Sequence, residues 1–195
     1  MTAFDPRAQA LLDFWFGTPG SLEYGIERKL WWKKKRAFDG MLAERFGALL
    51  EEAHAGGLRA WEETPLGTLA LIVLLDQFSR NCYRNTPRAF AGDARALELA
   101  RKLVESGDDL GLPGAYHRAF AYMPFEHDET RGSQREALRL FGKLKEETGV
   151  SSFYESAVEH AEVIERFGRF PHRNRILGRA MLPDEDAWLA EHGGF

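Results

Sequence analysis

Only one cysteine, Cys82, stands among the 195 residues. No disulfide can close within the chain, and a reducing, cytoplasmic setting is expected rather than a secreted one. Long apolar runs are also missing. The longest aliphatic stretch, Leu69 to Leu75, is far short of the roughly 20 residues a membrane helix needs, and Asp76 ends it. The opening Met-Thr-Ala-Phe-Asp-Pro has neither the basic nor the apolar region of a signal peptide. Positive charge is not in excess: the net charge is -4 and the pI is near 5.9, which argues against an extended nucleic-acid-binding face. No Walker loop, dinucleotide-binding glycine pattern or Gly-x-Ser-x-Gly occurs. His127, Glu129, His160 and His172 are suitable metal-ligand types, but they lack His-Glu-x-x-His, Glu-x-x-His or Cys-x-x-Cys spacing, so neither a metal nor a cofactor is implied. No segment alternates apolar and polar residues with β-branched enrichment, which removes the signal for strands.

What is present reads as helices. Asp5-Pro6 caps a first helix whose Ala8, Leu11, Leu12 and Trp15 recur at helical spacing until Gly17. After a loop, the basic run Lys33 to Arg36 reads as a solvated face. Leu42, Phe46, Leu49, Leu50 and Ala53 then stripe a second helix over about 39–55, closed by Gly56-Gly57. Thr64-Pro65 opens a third that is apolar on every side from Leu66 to Leu75, the mark of a central helix surrounded by others. Thr86-Pro87 repeats the device for a helix expected to run to Gly107, and a shorter one, about 113–121, is expected to stop at Met123-Pro124. Two long helices follow, about 133–147 and, from an expected capping box at Ser152 to Glu155, on to Phe167. Short segments at 171–177 and 183–191 complete an all-α single domain over 1–195, built of packed antiparallel helical hairpins. With 14 Phe and 5 Trp it is long enough to bury roughly 70% of its unfolded surface.

Three polar segments interrupt this apolar pattern. Asp76 to Asn81 end the central helix, with Arg84 just beyond. A carboxylate leaving so apolar a helix needs a cationic partner, and Arg80 lies on its helical face. Tyr122 to Glu129 concentrates three carboxylates around His127, a group suited to general acid/base work; the structural alternative is that Glu126, Asp128 and Glu129 cap the following helix. Arg166 to Arg179 packs five arginines, His172 and Asn174 into fourteen residues. A helix opening at Pro171 would present free amides to an anion, flanked by Arg169 and Arg173; structurally, these arginines would instead neutralise Asp76, Glu126 and Glu129.

The blocks Phe14 to Gly17, Leu74 to Asn81, Tyr122-Met123-Pro124-x-x-His127-x-Glu129 and Arg166 to Arg179 resemble, in the same order, those of domain of unknown function 924. That resemblance spans nearly the whole chain and implies a tetratricopeptide-repeat-like all-α fold without a known reaction. Two positions depart from the family's usual pattern, in which His-Ser-Glu takes the place of His127-Asp128-Glu129 and a Ser-Thr pair stands near Met181-Leu182.

The residues together suggest a site for a small anionic molecule, a phosphate or carboxylate, held as a ligand or acted on as a substrate. Arg80, Arg169 and Arg173 would hold the anion, Asn81 and Asn174 would orient it, and His127 with Glu129 would form the acid/base pair. Asp76, Arg166 and His172 complete the ligand-binding set. The competing reading is a helical-repeat-like module for acidic peptides, with the polar segments forming a structural ion network. Neither reading involves nucleic acid or membrane, and oligomeric state is not legible.

Overall fold

The computed structural model describes residues 4–194. Among these residues the regular structure is entirely helical, and no helix is long and apolar enough to cross a membrane. Helix α1 (Pro6–Phe16) begins where the Asp5 carboxylate accepts the Arg7 amide at 2.8 Å, and it buries Ala8, Leu11, Leu12, Trp15 and Phe16. Helix α2 (Arg36–His54) starts a turn earlier than the apolar stripe suggests and buries Leu42, Phe46, Leu50 and Ala53. The Thr64 hydroxyl caps α3 (Pro65–Val73) by accepting from the Gly67 amide.

Helix α3 is the hub. It packs against α1, α5 (Asp93–Glu105) and α6 (Ala115–His127), and every residue from Gly67 to Val73 is buried. Its chain continues without a break through one π turn, Leu74–Phe78, into the short α4 (Ser79–Cys82). A π turn admits one extra residue per turn and commonly marks a functional position. This one contains Asp76.

Two expected boundaries move for identifiable reasons. The segment read as one helix from Pro87 to Gly107 divides into a 3-10 turn, Pro87–Phe90, and α5. The division falls at Gly92, where a Cβ would stand only 2.5 Å from the Leu75 carbonyl oxygen, and it leaves Asp93 at the start of α5. Helix α6 does not stop at Met123-Pro124 but carries Pro124 inside its last turns. Burial of the whole stretch from Met123 to Glu126 outweighs the lost hydrogen bond, and side chains satisfy the end carbonyls. Gln134 Nε2 donates to Glu126 and Asp128 at 2.7 Å each, and Arg173 Nη2 donates to His127 at 2.9 Å. Glu126 and His127 are therefore helical rather than part of a connection.

Helices α7 (Arg131–Thr148) and α8 (Ser152–Phe167) follow α6 through short connections, which makes the three successive neighbours antiparallel. Thr130, not one of the acidic residues before it, caps α7. The expected capping box at Ser152 is not formed, because Ser151 occupies the cap position and makes no side-chain bond there. Glycines in the left-handed region, Gly149 and Gly168, close α7 and α8. The last helix, α9 (Pro183–His192), docks on α8 through Trp188 against Phe167.

Candidate functional site

The π turn aims Asp76 at the end of α6. Its Oδ1 lies 2.6 Å from His127 Nδ1 and 2.9 Å from an Arg80 Nη, while Oδ2 accepts from Gln77 at 2.5 Å. Asp76 is 1% exposed. Burial pushes its carboxyl up, but the Arg80 guanidinium and the His127 imidazole outweigh that and hold it below the ordinary carboxylate range. Asp76 is thus ionised and can only accept, so Nδ1 of His127 carries the proton and the ring is held in one orientation.

Arg80 also forks onto Asp93, at 2.7 and 3.0 Å. Asp93 shares its second oxygen with Arg173 at 3.4 Å, and Arg173 stacks over Phe90 and Phe170 with its guanidinium carbon 4.8 and 4.6 Å from the ring centroids. Burial, reinforced by repulsion from Arg80, pushes Arg173 down to about 10. Its buried Nε–H has no hydrogen-bond partner. His172, beside these cations, is pushed down to about 3 by burial and by Arg173, and is neutral at pH 7. Two guanidinium groups and a neutral imidazole thus crowd one wall.

A second carboxylate–histidine pair stands next to the first. His160 Nδ1 lies 3.0 Å from Glu126 Oε1 and 2.9 Å from the Ser156 carbonyl, and Ser156 Oγ donates to the same Glu126 oxygen at 2.7 Å. Burial pushes Glu126 up, but its bond from His160 leads the interactions that hold it below its ordinary value. The His127 and His160 rings are 6.2 Å apart.

Both pairs open onto a cavity of about 690 Å³. Arg80, Arg173, His127, His160 and His172 supply its polar lining, and Trp31, Trp32, Phe90, Met123, Phe153 and Ile176 its apolar lining. Lys33 and Lys34, read from sequence as a solvated face, are exposed and also line it. Among the described residues, no three His, Cys, Asp or Glu side chains are arranged to hold a metal ion.

The structure disperses the rest of the sequence-derived set. Glu129 does not reach His127: it accepts from Arg179 at 2.6 and 3.0 Å and from the Phe170 amide at 2.7 Å. Arg169 forks onto Glu185, which is 1% exposed, and Asn174 donates to the same carboxylate. Asn81 lines the cavity but donates to Asp39, which Arg84 also grips. Arg166 stacks over Phe167 and lines a separate cavity beside Trp188 and His192. The expected helix at Pro171 is only a 3-10 turn, Pro171–Arg173, whose Arg173 and Asn174 amides bond to Phe170 and Pro171. No amide cradle forms there. Within the arginine-rich segment, His172, Arg173 and Ile176 are the cavity residues.

Asp93, His160, Trp32 and the lysine pair were absent from the sequence-derived site. His160 did carry a signal, since it occupies the apolar stripe Phe153, Ala157, Ile164 of α8. Asp93 carried none, because an acidic residue in a first helical turn reads as a complement to the helix dipole.

A model of the family described as bacterial protein of unknown function (DUF924) matches residues 11–193. The solved structure of a protein of unknown function from Agrobacterium tumefaciens is 35% identical, with a TM-score of 0.82 over 95% of this chain and 98% of that one. Comparison with curated proteins gave no match.

Proposed function

Because the chain belongs to the DUF924 family, whose description carries no reaction, we propose a function from geometry: it binds a small phosphate- or carboxylate-bearing molecule in the 690 Å³ cavity and acts on it by acid/base chemistry at His127. The observation that carries this reading is the 2.6 Å contact between His127, on the wall of that cavity, and the buried, ionised Asp76 behind it. A carboxylate behind an imidazole fixes its tautomer, stabilises the imidazolium that forms when the ring takes up a proton, and so suits the ring to shuttle protons. Arg80 and Arg173 supply the positive wall for the anion, and Lys33 and Lys34 extend it toward solvent. The role assigned from sequence to Glu129 passes to Asp76.

Convergent polar groups in a pocket of this volume favour a small molecule over a peptide, which would use a long, open groove. Differential scanning fluorimetry over a panel of phosphorylated and carboxylated metabolites provides the test. A compound at about 100 times its Kd should stabilise the fold by about 2.7 kcal/mol, raising Tm by about 5 to 11 °C. A Lys33→Glu, Lys34→Glu double variant alters exposed side chains only, and should weaken that shift. His127→Gln should keep binding and lose about 10² to 10⁴-fold in turnover of any compound the wild type converts. A panel that is silent while an acidic peptide shifts Tm would replace this reading with the interaction module.

A further inference from the structure

Resting on the anion-binding reading above, we infer that the ligand is an aromatic anion, whose ring lies on the open face of Trp32 while its charged group meets the cationic wall. Trp31 and Trp32 are adjacent in sequence but differ in role. Trp31 is 6% exposed, donates its indole N–H to the Trp15 carbonyl at 2.8 Å and belongs to the core. Trp32 is 50% exposed, yet it is not a loose surface side chain. Its indole N–H donates to Glu27 at 2.7 Å, its ring stands at 88° to that of Trp31, and it lies 6.0 Å from that of Phe153.

An indole anchored at its N–H and packed beside Trp31 and Phe153, with half its surface uncovered on a cavity wall, is a partly preformed stacking platform, because less side-chain freedom is left to lose when a ring settles on it. The geometry also says where the ring goes. Sandwiching it between Trp32 and Phe153 would take two stacking distances of at least about 4.5 Å each, which the 6.0 Å separation cannot supply. The ligand must therefore stack on Trp32 from outside the gap between Trp32 and Phe153.

The charge pattern points the same way. Lys33 and Lys34 follow Trp32 directly and line the same cavity. Elsewhere in the lining, Phe90 packs its ring under both Arg80 and Arg173, at 5.6 and 4.8 Å. Cations thus stand beside aromatic surface at both places, which matches a planar ring bearing a phosphate or carboxylate better than it matches a bare inorganic anion or an alkyl chain. A bare anion would leave Trp32, Met123 and Ile176 uncovered, whereas an alkyl chain would cover them without any gain from stacking.

Isothermal titration calorimetry on the full chain tests this with two matched series: inorganic phosphate, butyl phosphate and phenyl phosphate; acetate, hexanoate and phenylacetate. In at least one series the aromatic member should bind about tenfold or more tightly than both others. Trp32→Ala, a change at a half-exposed position, should abolish that preference, bringing the aromatic member to the affinity of the aliphatic one. Saturation-transfer NMR on the wild type should show its strongest enhancement on the ring protons, a readout that needs no variant. Equal affinities within both series, or a preference that survives in Trp32→Ala, overturns the aromatic assignment while the anion-binding reading stands. Absence of binding by every member of both series overturns the two together.

Discussion

Replacing Asp76 with Asn keeps the shape of the side chain and deletes its charge. The wild-type carboxylate receives three donors, from His127, Arg80 and Gln77, at 2.6, 2.9 and 2.5 Å. An amide has one acceptor oxygen and one NH₂: with the NH₂ toward Gln77, whose own amide can turn to accept, His127 and Arg80 are left sharing a neutral oxygen, and the half-buried Arg80 loses one of its two anionic partners. Removing one member of a buried ion pair costs about 3 to 5 kcal/mol. The low end applies, because Arg80 keeps its fork on Asp93. The expected loss is therefore about 3 kcal/mol at pH 7, or about 6 to 12 °C in Tm for a chain of this size. The pH dependence separates this mechanism from generic damage. The folded carboxyl lies below its unfolded value near 3.9, so its stabilisation is complete above about pH 5 and is lost as pH falls. The gap between wild type and variant should shrink by about 1 kcal/mol between pH 5 and pH 3, since all other carboxylates are common to both proteins. Urea titrations at a series of pH values, analysed with a shared m-value, measure both quantities. A gap below about 1 kcal/mol at pH 7, or one that stays constant down to pH 3, would refute the ion-pair argument.

Three further outcomes follow from other parts of the fold. Leu74 is fully buried in the π turn, so Leu74→Ala should cost about 2 to 5 kcal/mol in urea titration, and a loss under about 1 kcal/mol would show that the turn is peripheral. Arg169→Ala removes the fork on the buried Glu185 and should lower Tm without changing affinity for any ligand of the main cavity; weakened binding would return Arg169 to the site. The Cys82 thiol is pushed up to about 11 by burial and by Asp39, so alkylation by iodoacetamide at pH 8 should be about tenfold or more slower in the folded protein than in urea, and equal rates would contradict that environment.

Local signals in the sequence carry the elements well and the pairings poorly. Caps at Asp5 and Thr64 and the all-round apolarity of Leu66 to Leu75 are properties of neighbouring residues, and the structure realises them as α1 and the hub helix. That Asp76 would need a cation is equally local, and Arg80, four residues on, is one. Pro124 misleads because the signal it gives is local while its tolerance is tertiary: Gln134 and Arg173, from two other segments, satisfy the carbonyls that end α6. The same distinction explains the arginine-rich segment. An arginine among Phe, Pro and Leu announces that a carboxylate must be near, but Coulomb attraction does not depend on sequence separation, and every acidic residue in the chain satisfies the rule equally. Arg169 takes Glu185 rather than Glu129, Arg179 takes Glu129, and Arg173 takes Asp93. Which carboxylates remain for the cavity is thus decided by packing. It leaves the buried Asp76 behind His127, and that assignment gives the site its chemistry.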